Sequence, residues 1–323
     1  MGGTVLTAMV AILATLLALP AKSALDLTFY GTLGVSMASV RGSNAPAEPA
    51  NSLGRSHPEL WDATRSRVGL KADHDFGLGW RARGQFEQTL RVRSGDDAHA
   101  GISFPPGSPF DAIALVQFSH YSYGKLQVGR RSNIASDLAL DSQAWGGETL
   151  AGDPASALLS NKAIQRTATV TYESPVAYHL TAGLQVLQPF DGKYIAATLS
   201  CDCWGKSLLI GWTRNSSGDR VVPIGLIWPF GPWRALASAT LGETEGHKGR
   251  YGSVALTRAW KAGEWRIGFT QYRVVDDTRV RKASIGFHQA LTPQWVGYVD
   301  AVKVQLGQGA ERKGMDVGLK YSF

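Results

Sequence analysis

The chain has 323 residues, of which 44% are hydrophobic and 18% charged, with a net charge of +7. That balance excludes a disordered chain, and the basic residues form no tract of the kind that would point to nucleic acid. Two cysteines in the whole chain exclude a disulfide framework.

Val5 to Leu19 is apolar except for Thr7 and Thr15, and Pro20-Ala21-Lys22-Ser23 follows. The run is short of the roughly 20 residues a membrane helix needs. It predicts an exported leader over residues 1–23, cleaved after Ser23. No Lys or Arg precedes it; either the start lies elsewhere or the terminal amine carries the charge alone. The remaining 300 residues, 24–323, form one domain with a net charge of about +6. They contain no long apolar window, so any membrane crossing is made by strands.

The dominant period is two. Leu27, Phe29, Gly31, Leu33, Val35 and Met37 alternate with polar or small residues over Asp26–Ala38, the pattern of a strand between two media. Trp80, Ala82, Gly84, Phe86, Leu90 and Val92 oppose Arg81, Arg83, Gln85, Glu87, Thr89, Arg91 and Arg93, with Gln88 as the exception. A strand of about 14 residues is long for a soluble protein, where about 5–6 is usual. Further strands are predicted over Arg65–Asp73, Asp111–Ser119, Gly124–Arg130, Gln165–Glu173, Tyr178–Leu187, Lys193–Ser200 and Ser207–Arg214. The series continues over Val221–Trp228, Trp233–Leu241, Tyr251–Trp260, Glu264–Val274, Arg279–Ala290, Gln294–Leu306 and Lys313–Phe323, for a total of 16.

Tight connections (His74–Gly79, Ser174–Ala177, Pro229–Pro232, Lys261–Gly263, Leu291–Pro293) contrast with more polar, often longer ones (Arg41–Thr64, Ser94–Phe110, Arg131–Ile164, Gly242–Arg250, Gly307–Arg312). Aromatic residues such as Trp80, Trp204, Trp228, Trp260 and Trp295 gather beside the tight turns, as at a lipid–water boundary. Together these features predict an all-β fold, a 16-stranded antiparallel transmembrane barrel with short periplasmic turns. Cys201-Asp202-Cys203 reads as two thiols at a turn, too close for an ordinary bridge and without neighbouring metal ligands.

Leu27-Thr28-Phe29-Tyr30-Gly31, Ser66-Arg67-Val68-Gly69-Leu70-Lys71, Leu78-Gly79-Trp80-Arg81-Ala82 with Gln85-Phe86-Glu87, Gly124–Arg130, Arg166–Pro175 and the ending Val317–Phe323 resemble, in order, segments of the Gram-negative trimeric porins, in particular the general porins of proteobacteria. The chain departs from that pattern at Gln289–Pro293, where the family has a basic turn. Short outer loops near Pro189 and Asn215 imply a shallow vestibule.

The resemblance implies a homotrimer in the outer membrane of a Gram-negative bacterium, passive diffusion of small hydrophilic solutes, and a third outer loop, about Arg131–Ile164, folded into the barrel. It implies an acidic loop (Asp137, Asp141, Glu148, Asp153) facing a basic wall (Arg67, Lys71, Arg81, Arg83, Arg130). Glu87, Arg91 and Arg93 join the lumen, and Arg91 and Arg93 alternatively meet lipopolysaccharide phosphate. Phe323 is implied as the C-terminal signal read by the barrel-assembly machinery. The Arg row and the net charge favour mild anion selectivity, while the acidic loop pulls the other way.

No metal or organic cofactor is expected. The alternatives are a channel specific for a small organic or inorganic anion, an outer-membrane enzyme, and an exported soluble β-protein. The seven histidines (His57, His74, His99, His120, His179, His247, His288) are scattered and sit in no nucleophile motif, which argues against the enzyme.

Overall fold

The computed structural model describes residues 25–42, 59–61, 66–93, 101–103, 110–152, 167–187, 194–216, 218–244, 246–273, 279–306 and 309–323. The expected leader, residues 1–23, lies outside the described residues. Sixteen antiparallel strands close into one barrel. They are β1 (Asp26–Gly42), β2 (Arg67–Gly77), β3 (Trp80–Thr89), β4 (Ile113–His120), β5 (Gly124–Arg131), β6 (Thr167–Glu173), β7 (Leu180–Leu187) and β8 (Tyr194–Cys203). The second half comprises β9 (Lys206–Asn215), β10 (Arg220–Phe230), β11 (Trp233–Thr244), β12 (His247–Trp260), β13 (Gly263–Arg273), β14 (Arg279–Ala290), β15 (Trp295–Gln305) and β16 (Glu311–Ser322). Closure is made by β1 against β16 over eleven register pairs, from Thr32↔Ser322 to Gly42↔Arg312.

The two faces follow from the pairing. Leu27, Phe29, Val35 and Met37 on β1 are exposed outward, while Thr32 and Ser36 between them are buried toward the lumen. The same parity runs around the barrel: Leu199, Ile210, Ile224, Val254, Ile267 and Ile285 are exposed on the outside. Exposed apolar bands of this extent are stable where the outer solvent is lipid.

The tight turns lie together at the end where β1 begins and β16 ends. Leu78-Gly79 and Trp204-Gly205 each place two consecutive residues at positive φ (53° and 85°; 54° and 70°), the geometry of a type I′ hairpin. Leu78 and Trp204 adopt a conformation that side chains seldom take, and both are almost fully exposed. Tyr121, Tyr178 and Trp260 are exposed at the same level, completing an aromatic girdle at that end.

Three expectations are corrected. The strand expected over Trp80–Arg93 is interrupted at Leu90: the Leu90 N–H still reaches Ser66 O on the β2 side (2.7 Å), while on the β4 side the Thr89 N–H is taken by Asp111 Oδ1 (2.7 Å). Arg91–Arg93 is a separate short strand paired with Glu59–Trp61 and Gly101–Ser103. The loop expected over Gly242–Arg250 is mostly ladder, since β11 and β12 stay paired to Thr244↔His247. Cys201 and Cys203 are joined in a disulfide rather than standing as two thiols. Residues i and i+2 share one face of β8, and their Cα atoms lie 5.4 Å apart, within bridging range.

An arginine on the outward mid-barrel face has no water to reach, so Leu199→Arg is expected to destabilise the folded barrel by about 2–4 kcal/mol. Urea unfolding in lipid vesicles measures this; an unchanged midpoint would place Leu199 away from lipid.

Candidate functional site

The third outer connection enters the lumen and is bound to the wall along its described length. It leaves β5 at Ser132-Asn133 and forms one helix, α1 (Ile134–Asp141). Asn133 caps the helix: its Oδ1 accepts from Ala135 N at 2.9 Å, and its Nδ2 donates to Thr213 Oγ1 on β9 at 3.1 Å. Gln185 on β7, fully buried, accepts from Ile134 N and donates to Ser132 O. The start of the loop is thus held by side chains of the barrel wall.

Packing takes over beyond that point. Ile134 and Ala135 meet Ala196 on β8, and Ala139 meets Tyr251, Tyr272, Val280 and Val304. Ala144, Trp145, Leu150 and Ala151 form a cluster with Val40, Leu236 and Val302, all facing the lumen. Glycines on the wall allow the close approach. A Cβ on Gly268 would lie 2.8 Å from the Trp145 ring, and one on Gly314 would lie 2.5 Å from Leu150 Cδ2. The buried apolar core of the described molecule is therefore inside the lumen, between loop and wall.

Two wall carboxylates fix the far end. Asp300 and Asp316, opposite one another on β15 and β16, are both fully buried. Asp300 Oδ1 accepts from Trp145 Nε1 (3.0 Å) and faces His288 Nε2 at 3.2 Å. Asp316 Oδ2 accepts the Leu150 N–H at 3.1 Å. Glu148 is ion-paired with Lys320 (2.7 Å), and buried Lys282 donates to Gly152 O at 3.1 Å. Hydrogen bonds to ionised groups are about twice as strong as neutral ones, so these contacts dominate the loop's attachment.

The basic wall is on β2–β5. Lys71 Nζ sits 4.2 Å above the Tyr30 ring. Tyr30 OH donates to Glu87 Oε1 (2.6 Å), Gln85 donates to both, and Arg67 Nε lies 3.7 Å from Glu87 Oε2. Arg83 pairs with Asp73 (2.7 Å) and Arg81 with Asp75 (3.3 Å), each pair directly opposite across β2 and β3. Arg81 lies one residue from the start of β3 and so stands at the periplasmic mouth, not deep in the channel.

Arg130 does not belong to this wall. It is in register with Ala114 and Ala168, on the outward face that carries Leu126 and Val128. The inward residue is Arg131, bonded to Gln127 Oε1 and paired with Asp137 at 2.9 Å. The reading of an acidic loop standing free opposite the bases is also altered. Asp137 and Glu148 are each bound to a cation on the wall the loop lies against, and Asp141 at the end of α1 is the exposed acid. Partial desolvation, followed by the neighbouring Asp137, pushes the Asp141 carboxyl above the usual carboxylate range. Asp153 lies outside the described residues, as do the side chains of Arg91 and Arg93.

Sequence reasoning missed Asp300, Asp316, His288, Lys282, Lys320 and Arg131. Their available signal was charge at lumen parity inside otherwise apolar strands. Among the described residues, no cluster of His, Cys, Asp and Glu is placed to hold a metal ion.

A model of Gram-negative porins matches residues 6–308. Among solved structures, the barrel is similar to an anion-selective porin from Comamonas acidovorans (TM-score 0.75, 16% identity, covering 93% of this chain and 100% of that one). It is also similar to outer-membrane expressed OmpT of Vibrio cholerae (0.68, 11%, covering 94% and 99%) and to Salmonella typhi OmpF in complex with daunomycin (0.69, 12%, covering 92% and 97%). At these identities the likeness shows the fold alone. No curated protein matches the sequence.

Asp300→Ala leaves the Trp145 N–H without its acceptor and is expected to cost about 1–3 kcal/mol. The loosened loop is expected to raise open-channel noise and mean conductance in single-channel recordings. A quiet trace of unchanged conductance would show that Asp300 does not hold the loop.

Proposed function

This chain belongs to the Gram-negative porin family, and on that premise we propose that it is a passive outer-membrane channel for small hydrophilic solutes and ions with a mild preference for anions. The observation that carries the preference is the unequal exposure of lumen charge. The carboxylates of Asp300 and Asp316 are fully buried and the Glu87 side chain is 8% exposed against 37% for Arg67, while Arg83 (39%) and Arg81 (74%) exceed their paired Asp73 (35%) and Asp75 (47%) by a smaller margin. Acids buried against the loop or wall contribute little to the field along the passage, while cations facing water raise the local concentration of anions. Lys71, Arg67 and Arg83 with Glu87 line the passage in this reading, and Asp141, with Asp153 as a further candidate, supplies the opposing charge.

The same reading includes a homotrimer, supported by the family resemblance and by small outward residues Ala72, Gly84 and Ala114 on neighbouring strands β2–β4. Phe323 is proposed as the signal for the barrel-assembly machinery. Its backbone pairs with Gly31 (3.0 and 3.2 Å) and its ring packs on Phe29 and Tyr321 at the edge of the closure.

The refolded protein in a planar bilayer under a KCl gradient is expected to show stepwise ohmic conductance with a reversal potential on the anion side. Lys71→Gln with Arg83→Gln is expected to move the reversal potential toward the cation side. A cation-side reversal in the unaltered protein would reject the preference while leaving the channel.

Selectivity is also expected to depend on pH. Protonation of Asp141 removes a negative charge, and its raised pKa places that step above the usual carboxylate range, so anion preference should grow as pH falls toward that range. Asp141→Asn should abolish this growth. A variant that keeps the full pH response would assign it to another group.

A further inference from the structure

The bridge between Cys201 and Cys203 has no part in the pore. Both cysteines share the parity of Ile195 and Leu199, the outward side of β8, while Asp202 between them bonds to Ser207 on the lumen side. Nor does the fold depend on it. A disulfide stabilises through the loop that it closes, and the gain shrinks with the length of that loop. This one spans a single residue. The ladders already fix both positions: Cys201 stands opposite Leu180 on β7 and Leu208 on β9, and Cys203 stands opposite Lys206.

The surroundings suit sulfur chemistry. Trp204, the next residue, is 88% exposed, and Tyr178 in the adjoining turn is 95% exposed. The Asp202 N–H donates to His179 O at 3.0 Å, which seats that second turn beside the bridge. The sulfurs are thus flanked by two turns open to solvent. Lys206, opposite Cys203 on the same face, rests its ammonium 4.3 Å from the centre of the Trp228 ring. Its flexible four-carbon stem lets that charge swing to a thiolate formed at Cys203, and a neighbouring cation favours thiolate over thiol.

We propose that Cys201–Cys203 is a thiol–disulfide exchange site that oxidises a soluble periplasmic dithiol. One thiolate of the dithiol attacks Cys203 Sγ; the S–S bond breaks, and Cys201 leaves as a thiolate that takes up a proton. The second thiol then loses its proton and attacks the dithiol's own sulfur in the mixed disulfide, expelling Cys203 as a thiolate that Lys206 stabilises until it is protonated. The dithiol ends as a disulfide, having given two electrons and two protons to the cysteines. The site rests on the outer-membrane reading above, which puts these turns in the periplasm, and not on conduction.

The full chain, folded and detergent-purified, is equilibrated in buffers of reduced and oxidised glutathione or treated with dithiothreitol. Thiols are counted by the gel shift of a polyethylene-glycol maleimide, with urea unfolding and conductance on the same preparations. The bridge should open in the folded barrel within the range that glutathione buffers reach, leaving the urea midpoint and the conductance unchanged. In Cys201→Ser, Cys203 should form a mixed disulfide with oxidised glutathione about tenfold faster than Cys201 does in Cys203→Ser. Adding Lys206→Gln to Cys201→Ser should slow that step about threefold.

A bridge that resists dithiothreitol until the barrel unfolds overturns the site, and so does a urea midpoint that falls on reduction, since either marks a structural staple. Equal rates for the two single-cysteine variants overturn the order of attack, and two free thiols in the oxidised protein overturn the bridge itself. A folded protein that exchanges thiols without conducting rejects the channel and leaves this site standing.

Discussion

A sheet that crosses lipid cannot keep a free edge, because an unpaired N–H or C=O in hydrocarbon costs several kcal/mol. The closure of β1 on β16 meets that constraint, and the rest of the architecture follows from it. Once the sheet is closed, every strand has one face toward lipid and one toward the lumen, and period-two alternation becomes obligatory. Closure also fixes register: a slip of one residue would turn Asp300, Asp316 and Lys320 into the bilayer. The terminal pairing of Phe323 with Gly31 extends the seam to its last residue.

Inside the seam, charge is largely consumed by structure. Asp300 and Asp316 sit opposite one another without exposure, a costly arrangement for two carboxylates. Donors from the loop and the wall offset that cost: the Trp145 indole, the Leu150 amide and the His288 ring. The loop and its seat are therefore mutually dependent. Without the loop the carboxylates would face water on a plain lumen wall; without the carboxylates the loop's Trp145 N–H would be buried unpaired. The lumen-facing glycines serve the same contact from the other side, because any side chain at Gly268 or Gly314 would hold the loop off the wall.

This explains which parts of the fold were legible in the sequence. Strands such as β1 and β8 alternate cleanly because one face meets lipid and the other meets water. Strand β15 reads apolar on both faces, with Trp295, Val299 and Ala301 outward and Val296, Val302 and Val304 inward. The inward set is apolar because the loop packs on it, and a one-dimensional pattern cannot reveal a contact with residues about 150 positions away in the chain. The same limit hid Asp300 and Asp316, whose partners lie 155 and 166 residues earlier. Arg130 was misassigned for a smaller reason: Arg130 and Arg131 are adjacent, and only the register with Ala114 and Ala168 decides which one faces inward. The strand is interrupted after Thr89 because the Thr89 N–H is taken by the Asp111 carboxylate rather than by a backbone carbonyl of β4.

The two faces of the barrel handle charge differently. In the lumen, Arg83, Arg81, Arg131 and Lys320 each have a carboxylate within about ion-pair distance, mostly from a neighbouring strand or the loop. Such pairs leave a modest residual field, which suits a passage that must admit solutes and release them. On the outer rim of β12–β14, arginine faces arginine across consecutive ladders. The next part of the rim does the same: Lys303 stands opposite Lys313, and Glu311 pairs with both lysines (2.8 and 3.1 Å), so rim cations share an acid where those lumen cations pair singly.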